Sequence, residues 1–216
     1  MSEQGPIRKT KLRIENLSDL VFGLALSLGS IILVSTSVDT PDGLVTNVVL
    51  FGFSFLIVIW IWTGYTRTMS ALPFEIQWTF LLNVALLFCV AIEPYLFYEL
   101  FRPAPLSFVG FASAVYAVDG GSMMFILAGI GSLVIREHKG KSSDSEGFSE
   151  ARFRSAVRAE IVSGSIFWAS ALPIFWIQDP FGYFVRFDMW YLIFVTFFIV
   201  SRFGRRRRDG SRPQTD

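Results

Sequence analysis

Long apolar segments are the feature that most constrains what this chain can fold into. Six segments, each close to the roughly 20 residues that cross a bilayer as a helix, lie near 17–38, 44–66, 76–100, 105–135, 156–178 and 185–203. Hydrophobic residues make up 52% of the 216 residues, which is too many for an ordinary soluble domain. We therefore predict an all-α integral membrane protein, with residues 1–216 forming one domain of six transmembrane helices.

Other membrane architectures fit the pattern poorly. The runs 48–62 and 192–200 are apolar all round, whereas the strands of a membrane β-barrel alternate between apolar and polar residues. The first segment lacks the small-residue cleavage site of a signal peptide, and further spans follow it. We interpret it as a permanent first helix.

Basic residues predict the orientation of the spans, because Lys and Arg near the ends of spans stay on the cytoplasmic side. They cluster at 8–13, at Arg67, along the connection 136–154 and at 202–212, whereas the opposite connections are mainly acidic, with Arg102 and Arg186 as exceptions. We expect both termini and the linker 136–154 to be cytoplasmic. The arginine run 205–208 is interpreted as a topology anchor that attracts membrane lipid, not as a nucleic-acid site.

Enzymatic and metal chemistry lack the residues they need. No predicted span supplies a Ser with a His or Lys base, and Asp19 with Asp119 lacks the surrounding motif of intramembrane aspartyl proteases. Cys89 and His138 are the only residues of their types, so no His or Cys cluster can bind a metal. We expect neither enzymatic activity nor a cofactor.

Asp119 and Glu93 are acidic residues that fall inside predicted spans. Asp119 lies in the middle of the fourth, where it marks an ion or proton path or meets a polar group on a neighbouring helix. Four glycines near it permit close helix packing: Gly120, Gly121, Gly129 and Gly131. Glu93 precedes Pro94 and is expected near the outer interface, and Pro94 and Pro173 are expected to kink their helices.

The first apolar segment begins with Arg13, Ser18 and Asp19, polar groups that are costly at a membrane helix end and need partners. Further along, Leu24, Leu28 and Ile31 recur at helical spacing and share one face, with Ser27 beside it. Such a stripe faces lipid, another helix or a pore, and the spacing alone does not choose among them.

The residues of this first helix resemble a known signature. Arg13, Leu17-Ser18-Asp19, Val21-Phe22, Ala25 and Ser27-Leu28 are similar to the Arg-x-x-x-Phe-Ser-Asp motif of the endolysosomal potassium channel family (transmembrane protein 175-like) and its short prokaryotic relatives. The segment 62–67 resembles the family's Trp-x-x-His-His-Arg motif, and Asn83 followed by Pro94 resembles its third helix. The departures are Leu17, Gly23, Tyr65 and Thr66; the hydroxyls of Tyr65 and Thr66 and the indole of Trp62 are left as partners for Ser18 and Asp19.

The resemblance implies a function and assigns residues to it. It implies a homotetrameric channel of a prokaryotic plasma membrane, with helix 1 lining a central pore, potassium as permeant ion and modest selectivity. Leu24 falls on the family's apolar constriction, Leu28 and Ile31 on the following rings, and Ser27 on a hydroxyl linked to ion preference. The helix-1 motif and its packing partners would hold the moving helix: Arg13, Leu17, Ser18, Asp19, Trp62, Tyr65 and Asn83.

Two other functions remain open on the sequence. A proton-coupled secondary transporter would use a charged or unwound site near the membrane midplane, for which Asp119 with Gly120 and Gly121 is the best candidate. A non-conducting scaffold would use the same helix packing with a sealed axis.

Overall fold

The described part of the chain is built from α-helices. The computed structural model describes residues 4–35, 40–71, 77–102, 104–138, 150–178, 184–191 and 193. The helices are α1 (Gln4–Ser35), α2 (Pro41–Ser70), α3 (Gln77–Phe101), α4 (Leu106–His138) and α5 (Glu150–Ser170), followed by a 3₁₀ turn (Pro173–Phe175). Residues 185–191 add further helical turns. No strand occurs in these ranges, only an isolated bridge between Gln178 and Phe184, so the predicted all-α class is confirmed.

Four of these helices are long and apolar enough to cross a membrane. The candidate spans are Arg13–Leu33, Pro41–Ser70, Trp78–Phe101 and Leu106–His138. Because α5 carries several charged residues in its first half, it is not among them. Most of the predicted sixth helix, the middle of the linker 136–154 and the arginine run 205–208 lie outside the described residues. The chain is a multi-pass membrane protein, and the count of six helices stays a prediction.

The second helix begins earlier than predicted, at a capped N-terminus. The Thr40 hydroxyl accepts a hydrogen bond from the backbone N–H of Gly43 at 3.1 Å. Pro41 occupies the first helical position, where its missing N–H costs nothing, and Asp42 adds a negative charge in the first turn. These three residues fit the start of a helix and explain the boundary.

The fifth helix differs from the predicted range 156–178. It runs from Glu150 to Ser170, and a separate 3₁₀ turn starts at Pro173. Leu172 has an extended backbone, the conformation that a following proline favours. The expected kink at Pro173 is therefore wrong, because the helix ends instead. In contrast, α3 continues through Pro94.

The core is organised around α4, which packs most extensively against α5 and α3. A Cβ atom added at Gly121 would lie 2.9 Å from the backbone oxygen of Gly164 in α5, and one at Gly131 would lie 2.7 Å from the side chain of Val157. A Cβ at Gly120 would touch the Phe167 ring at 3.4 Å. These glycines set the α4–α5 separation, whereas Gly129 has only ordinary contact with α3.

The helical turns 185–191 dock on α4 and α5 through aromatic side chains. The Trp190 indole donates to the Ser170 hydroxyl at 2.9 Å, and its ring lies 5.2 Å from that of Tyr116. Arg186 is fully buried, donates to the Gly110 carbonyl at 3.3 Å and lies over the Trp176 ring at 5.4 Å. Arg186, an exception to the predicted charge pattern, is used within the fold.

Candidate functional site

Helix α1 has one face buried in its own subunit and one face exposed. Phe22 and Ala25 are each 2% exposed and pack in the core, whereas Leu24, Leu28 and Ile31 are 54%, 47% and 61% exposed. Leu17 and Leu20 continue the exposed stripe toward the start of the helix. The stripe is therefore available to lipid or to other subunits along the length of α1.

The buried face is attached to α2 by a hydrogen bond between side chains. The Tyr65 hydroxyl donates to Ser18 Oγ at 2.7 Å, and Ser18 Oγ donates to the carbonyl of Ile14 at 2.8 Å. Ser18 is fully buried, and its hydroxyl both donates and accepts a hydrogen bond within the fold. The Phe22 ring lies 5.6 Å from that of Tyr65 and adds aromatic packing to the same contact.

Asp19 lies one residue further along, on the exposed side of this contact. Its Oδ1 accepts a hydrogen bond from the Trp62 indole N–H at 3.0 Å. The Thr66 hydroxyl, the third partner that the sequence offered, donates instead to the backbone carbonyl of Trp62. Two of the three possible substitutes for the histidine pair are thus used.

Arg13 does not have the partner expected for it. Its side chain is exposed, and it has no hydrogen bond or ion pair with another described residue. The role of Arg13 in holding the first helix therefore stays a prediction. Asp19 lies six residues, about 1.7 turns, further along the same helix, and its partner is Trp62.

The end of α2 also contacts α5. Arg67 Nη2 lies 3.3 Å from Glu160 Oε1, and Glu160 is buried. A Cβ at Gly64 would touch the Leu127 side chain at 3.2 Å, so the absence of a side chain there brings α2 close to α4. The segment 62–67 therefore contacts α1 at Ser18 and Asp19 on one side and α5 on the other. Asn83 of α3 is also buried, and its Oδ1 has no hydrogen-bond partner among the described residues.

Ser27 lies on the exposed side of α1. Its hydroxyl donates to the backbone carbonyl of Gly23 at 2.8 Å. Because the proton is used inside the helix, the oxygen lone pairs remain available to a group outside it. A Cβ at Gly23 would meet nothing within 4 Å, so the Gly23 side of α1 is not packed against the rest of its subunit.

A polar cluster that the sequence did not predict lies between α2, α3 and α4. Glu93 is fully buried, and its Oε1 accepts hydrogen bonds from the Ser54 hydroxyl at 2.9 Å and the Tyr116 hydroxyl at 3.0 Å. Its expected place near the outer interface stays a prediction, because burial between helices does not measure depth in the membrane. One helical turn away, Asp119 is buried near Cys89, and its Oδ2 has no partner among the described residues.

This cluster satisfies the carboxyl group of Glu93, which would otherwise be costly in a membrane interior. Its signal in the sequence is the spacing of Cys89 and Glu93 by four residues on α3, opposite Tyr116 and Asp119 spaced by three on α4. That spacing shows that each pair lies on one face of its helix, but which faces of α3 and α4 meet depends on the tertiary structure. The described residues contain no group of three or more His, Cys, Asp and Glu side chains that could hold a metal.

Comparisons with known proteins identify the fold. No family model matches the chain, and no curated protein matches it by sequence. A similar solved structure is the crystal structure of a single-site variant of the potassium channel MtTMEM175 in complex with a nanobody–MBP fusion protein. The match has a TM-score of 0.53 and 22% sequence identity, and it covers 91% of this chain and 93% of that chain. The resemblance noted in the first helix is confirmed at the level of the whole fold: this chain has the fold of the MtTMEM175 potassium channel.

Proposed function

We propose that this protein is a potassium-preferring cation channel, in which the α1 helices of four identical subunits surround a central pore. The observation that carries the proposal is the exposed apolar stripe on α1, formed by Leu17, Leu20, Leu24, Leu28 and Ile31. It lies on a helix whose opposite face is bonded to α2, and the whole chain has the fold of a potassium channel.

Rings of branched apolar side chains would control conduction in such a pore. Leu24 would form the constriction, with Leu28 and Ile31 in the following rings, because a narrow apolar ring excludes water and thereby blocks ions. Ser27 would contribute lone pairs to a passing cation, since its own proton is bonded to Gly23. Apolar rings offer no substitute for the ion's water, so the preference for potassium over sodium would be modest.

The contacts near the start of the candidate span in α1, Arg13–Leu33, would act as the fixed base of a moving helix. Ser18 and Asp19 are bonded to Tyr65 and Trp62, whereas the helix beyond Gly23 has an exposed face. Tilting α1 about this base would change the width of the rings more at Ile31 than at Leu24. By the positive-inside rule, we place the base, both termini and the linker 136–154 on the cytoplasmic side of a prokaryotic plasma membrane.

A secondary transporter is the second candidate, and the buried Asp119 with its unpartnered oxygen favours it. Transporter sites of this kind use helices that are broken at the midplane. However, α4 is continuous through Gly120 and Gly121, and these glycines are used to pack against α5. A passive channel therefore accounts for more of the geometry, and a sealed scaffold has no specific support.

The experiment is ion flux into liposomes containing the purified protein, under a potassium gradient and then a sodium gradient. Leu24→Ala should raise the potassium flux and weaken the preference for potassium. Leu56→Ala is a matched control on α2, because Leu56 is 55% exposed and Leu24 54%. Equal flux for wild type and Leu24→Ala would move the constriction elsewhere. Flux only under a proton gradient would identify a transporter, and no flux from any variant would identify a scaffold.

Subunit number is measured separately, by the mass of the purified complex in detergent. A complex of four chains is expected. A stable monomer that conducts ions would contradict the shared pore, because a single α1 cannot enclose an axis.

A further inference from the structure

An apolar cavity lies between α1, α2 and α3, at the end of the bundle away from the helix-1 motif. Its volume is about 100 Å³, and its walls include Gly29 of α1, Phe51 of α2 and Phe97 of α3. These residues fall within candidate membrane spans. A cavity of this volume and lining is suited to hydrocarbon, because an apolar cavity of comparable size takes up small apolar groups and not water.

The cavity has a cationic rim. Arg102 lines it and follows directly after the candidate span Trp78–Phe101, the level at which lipid headgroups lie. Asn47 adds an amide to the same lining. Arg102 is one of the two basic exceptions to the charge pattern on this side of the protein, and its role is not explained by topology.

The guanidinium of Arg102 has unused hydrogen-bonding capacity. Its Nε lies 3.5 Å from Glu99 Oε2, yet that oxygen has no hydrogen bond to any described residue, so the pair is a charge contact without a formed bond. The side chain is 49% exposed, and its Cζ lies 5.7 Å from the centre of the Phe108 ring, which orients the group. A phosphate fits this planar fork because guanidinium binds its oxygens in a bidentate manner.

We propose that this cavity and Arg102 form a binding site for an anionic phospholipid, with the phosphate on Arg102 and part of an acyl chain in the cavity. The site lies in the leaflet opposite the helix-1 motif. It depends on neither the pore nor the ion preference, so its outcome is separate from that of the proposed channel.

The headgroup contact is tested by native mass spectrometry of the purified full-length protein with added phosphatidylglycerol or phosphatidylcholine. Wild type should retain phosphatidylglycerol in preference to phosphatidylcholine. Arg102→Gln should weaken binding of phosphatidylglycerol by roughly tenfold, the effect of one charge-assisted contact. Arg154→Gln is the matched control, because Arg154 is 50% exposed and also pairs with a glutamate on its own helix.

The acyl-chain contact is tested by filling the cavity. A Cβ at Gly29 would lie 3.3 Å from the Phe51 ring, so Gly29→Leu directs a side chain into the space and should release the lipid even with Arg102 intact. Gly52→Leu is the control, because a Cβ there meets nothing within 4 Å. Circular dichroism of each variant establishes that it is folded.

Three results would overturn the proposal. Retention of phosphatidylglycerol by both Arg102→Gln and Gly29→Leu would place the lipid elsewhere. Competition by glycerol 3-phosphate as strong as that by the lipid would indicate a free phosphate site without an acyl chain. A change of subunit number in either variant, with lipid retained, would make the cavity a contact between copies of the chain.

Discussion

The bond between Tyr65 and Ser18 offers the most direct test of how α1 is held. Tyr65→Phe removes only the hydroxyl and keeps the ring packed on Phe22. The lost hydrogen bond is 2.7 Å long and fully buried. Hydrogen bonds between membrane helices contribute about 0.6 kcal/mol on average and about 1.7 at most. We expect about 1 kcal/mol here, since neither atom is accessible to water.

Ser18→Ala should cost more, about 1–3 kcal/mol, because it leaves the Tyr65 hydroxyl buried without an acceptor. If the two side chains act as one unit, the double variant should cost about 1 kcal/mol less than the sum of the single variants. The measurement is reversible unfolding of the purified protein in lipid–detergent mixtures with increasing SDS. Tyr95→Phe is the control, because Tyr95 is exposed. Strict additivity of Tyr65→Phe and Ser18→Ala would refute the coupling.

Three further predictions test the packing and the assembly. Gly121→Ala should lower stability by about 3 kcal/mol, since its Cβ would overlap the Trp168 indole and lie 2.9 Å from the backbone oxygen of Gly164 in α5. Unfolding in SDS measures this loss, and an unchanged midpoint would contradict it. Glu93→Gln should lower stability by about 2 kcal/mol less than Glu93→Leu, because the glutamine oxygen still accepts hydrogen bonds from two buried hydroxyls. Equal losses of stability in the same assay would show that these hydrogen bonds contribute little. Asp19→Ala should reduce the fraction of tetramer, measured by light scattering, more than it reduces ion flux per tetramer, because the Trp62 indole loses its acceptor. A normal tetramer with normal flux would contradict a role of Asp19 in assembly.

The helix-1 region illustrates how far sequence reasoning reached. The residues available to replace the histidine pair were Trp62, Tyr65 and Thr66, and two of them bond to Asp19 and Ser18. The sequence could not choose among the three, because each carries a donor and Ser18 and Asp19 are adjacent acceptors in the chain. The choice depends on how α2 is rotated against α1, which the packing of the whole subunit sets.

Glu93 marks the opposite case. An acid followed by a proline was expected near the membrane interface, but no partner was predicted for it, and the side chain is enclosed by hydroxyls from α2 and α4. Its two donors are 39 and 23 residues away in the chain. No local pattern connects residues at such separations, so this contact was not predictable from one sequence.

The sequence by itself determined that this protein is helical and spans a membrane, because those properties depend on the length and composition of continuous segments. It also located the polar motif near the start of the first candidate span and the glycines of α4 that pack closely against α5. Only the tertiary structure decided which face of each helix is buried. Phe22 and Leu24 are nearly adjacent and both apolar, yet one is 2% and the other 54% exposed. In a chain that is apolar all round, helix packing and not the hydrophobic pattern makes that distinction, because lipid and protein interiors are similar solvents for such side chains.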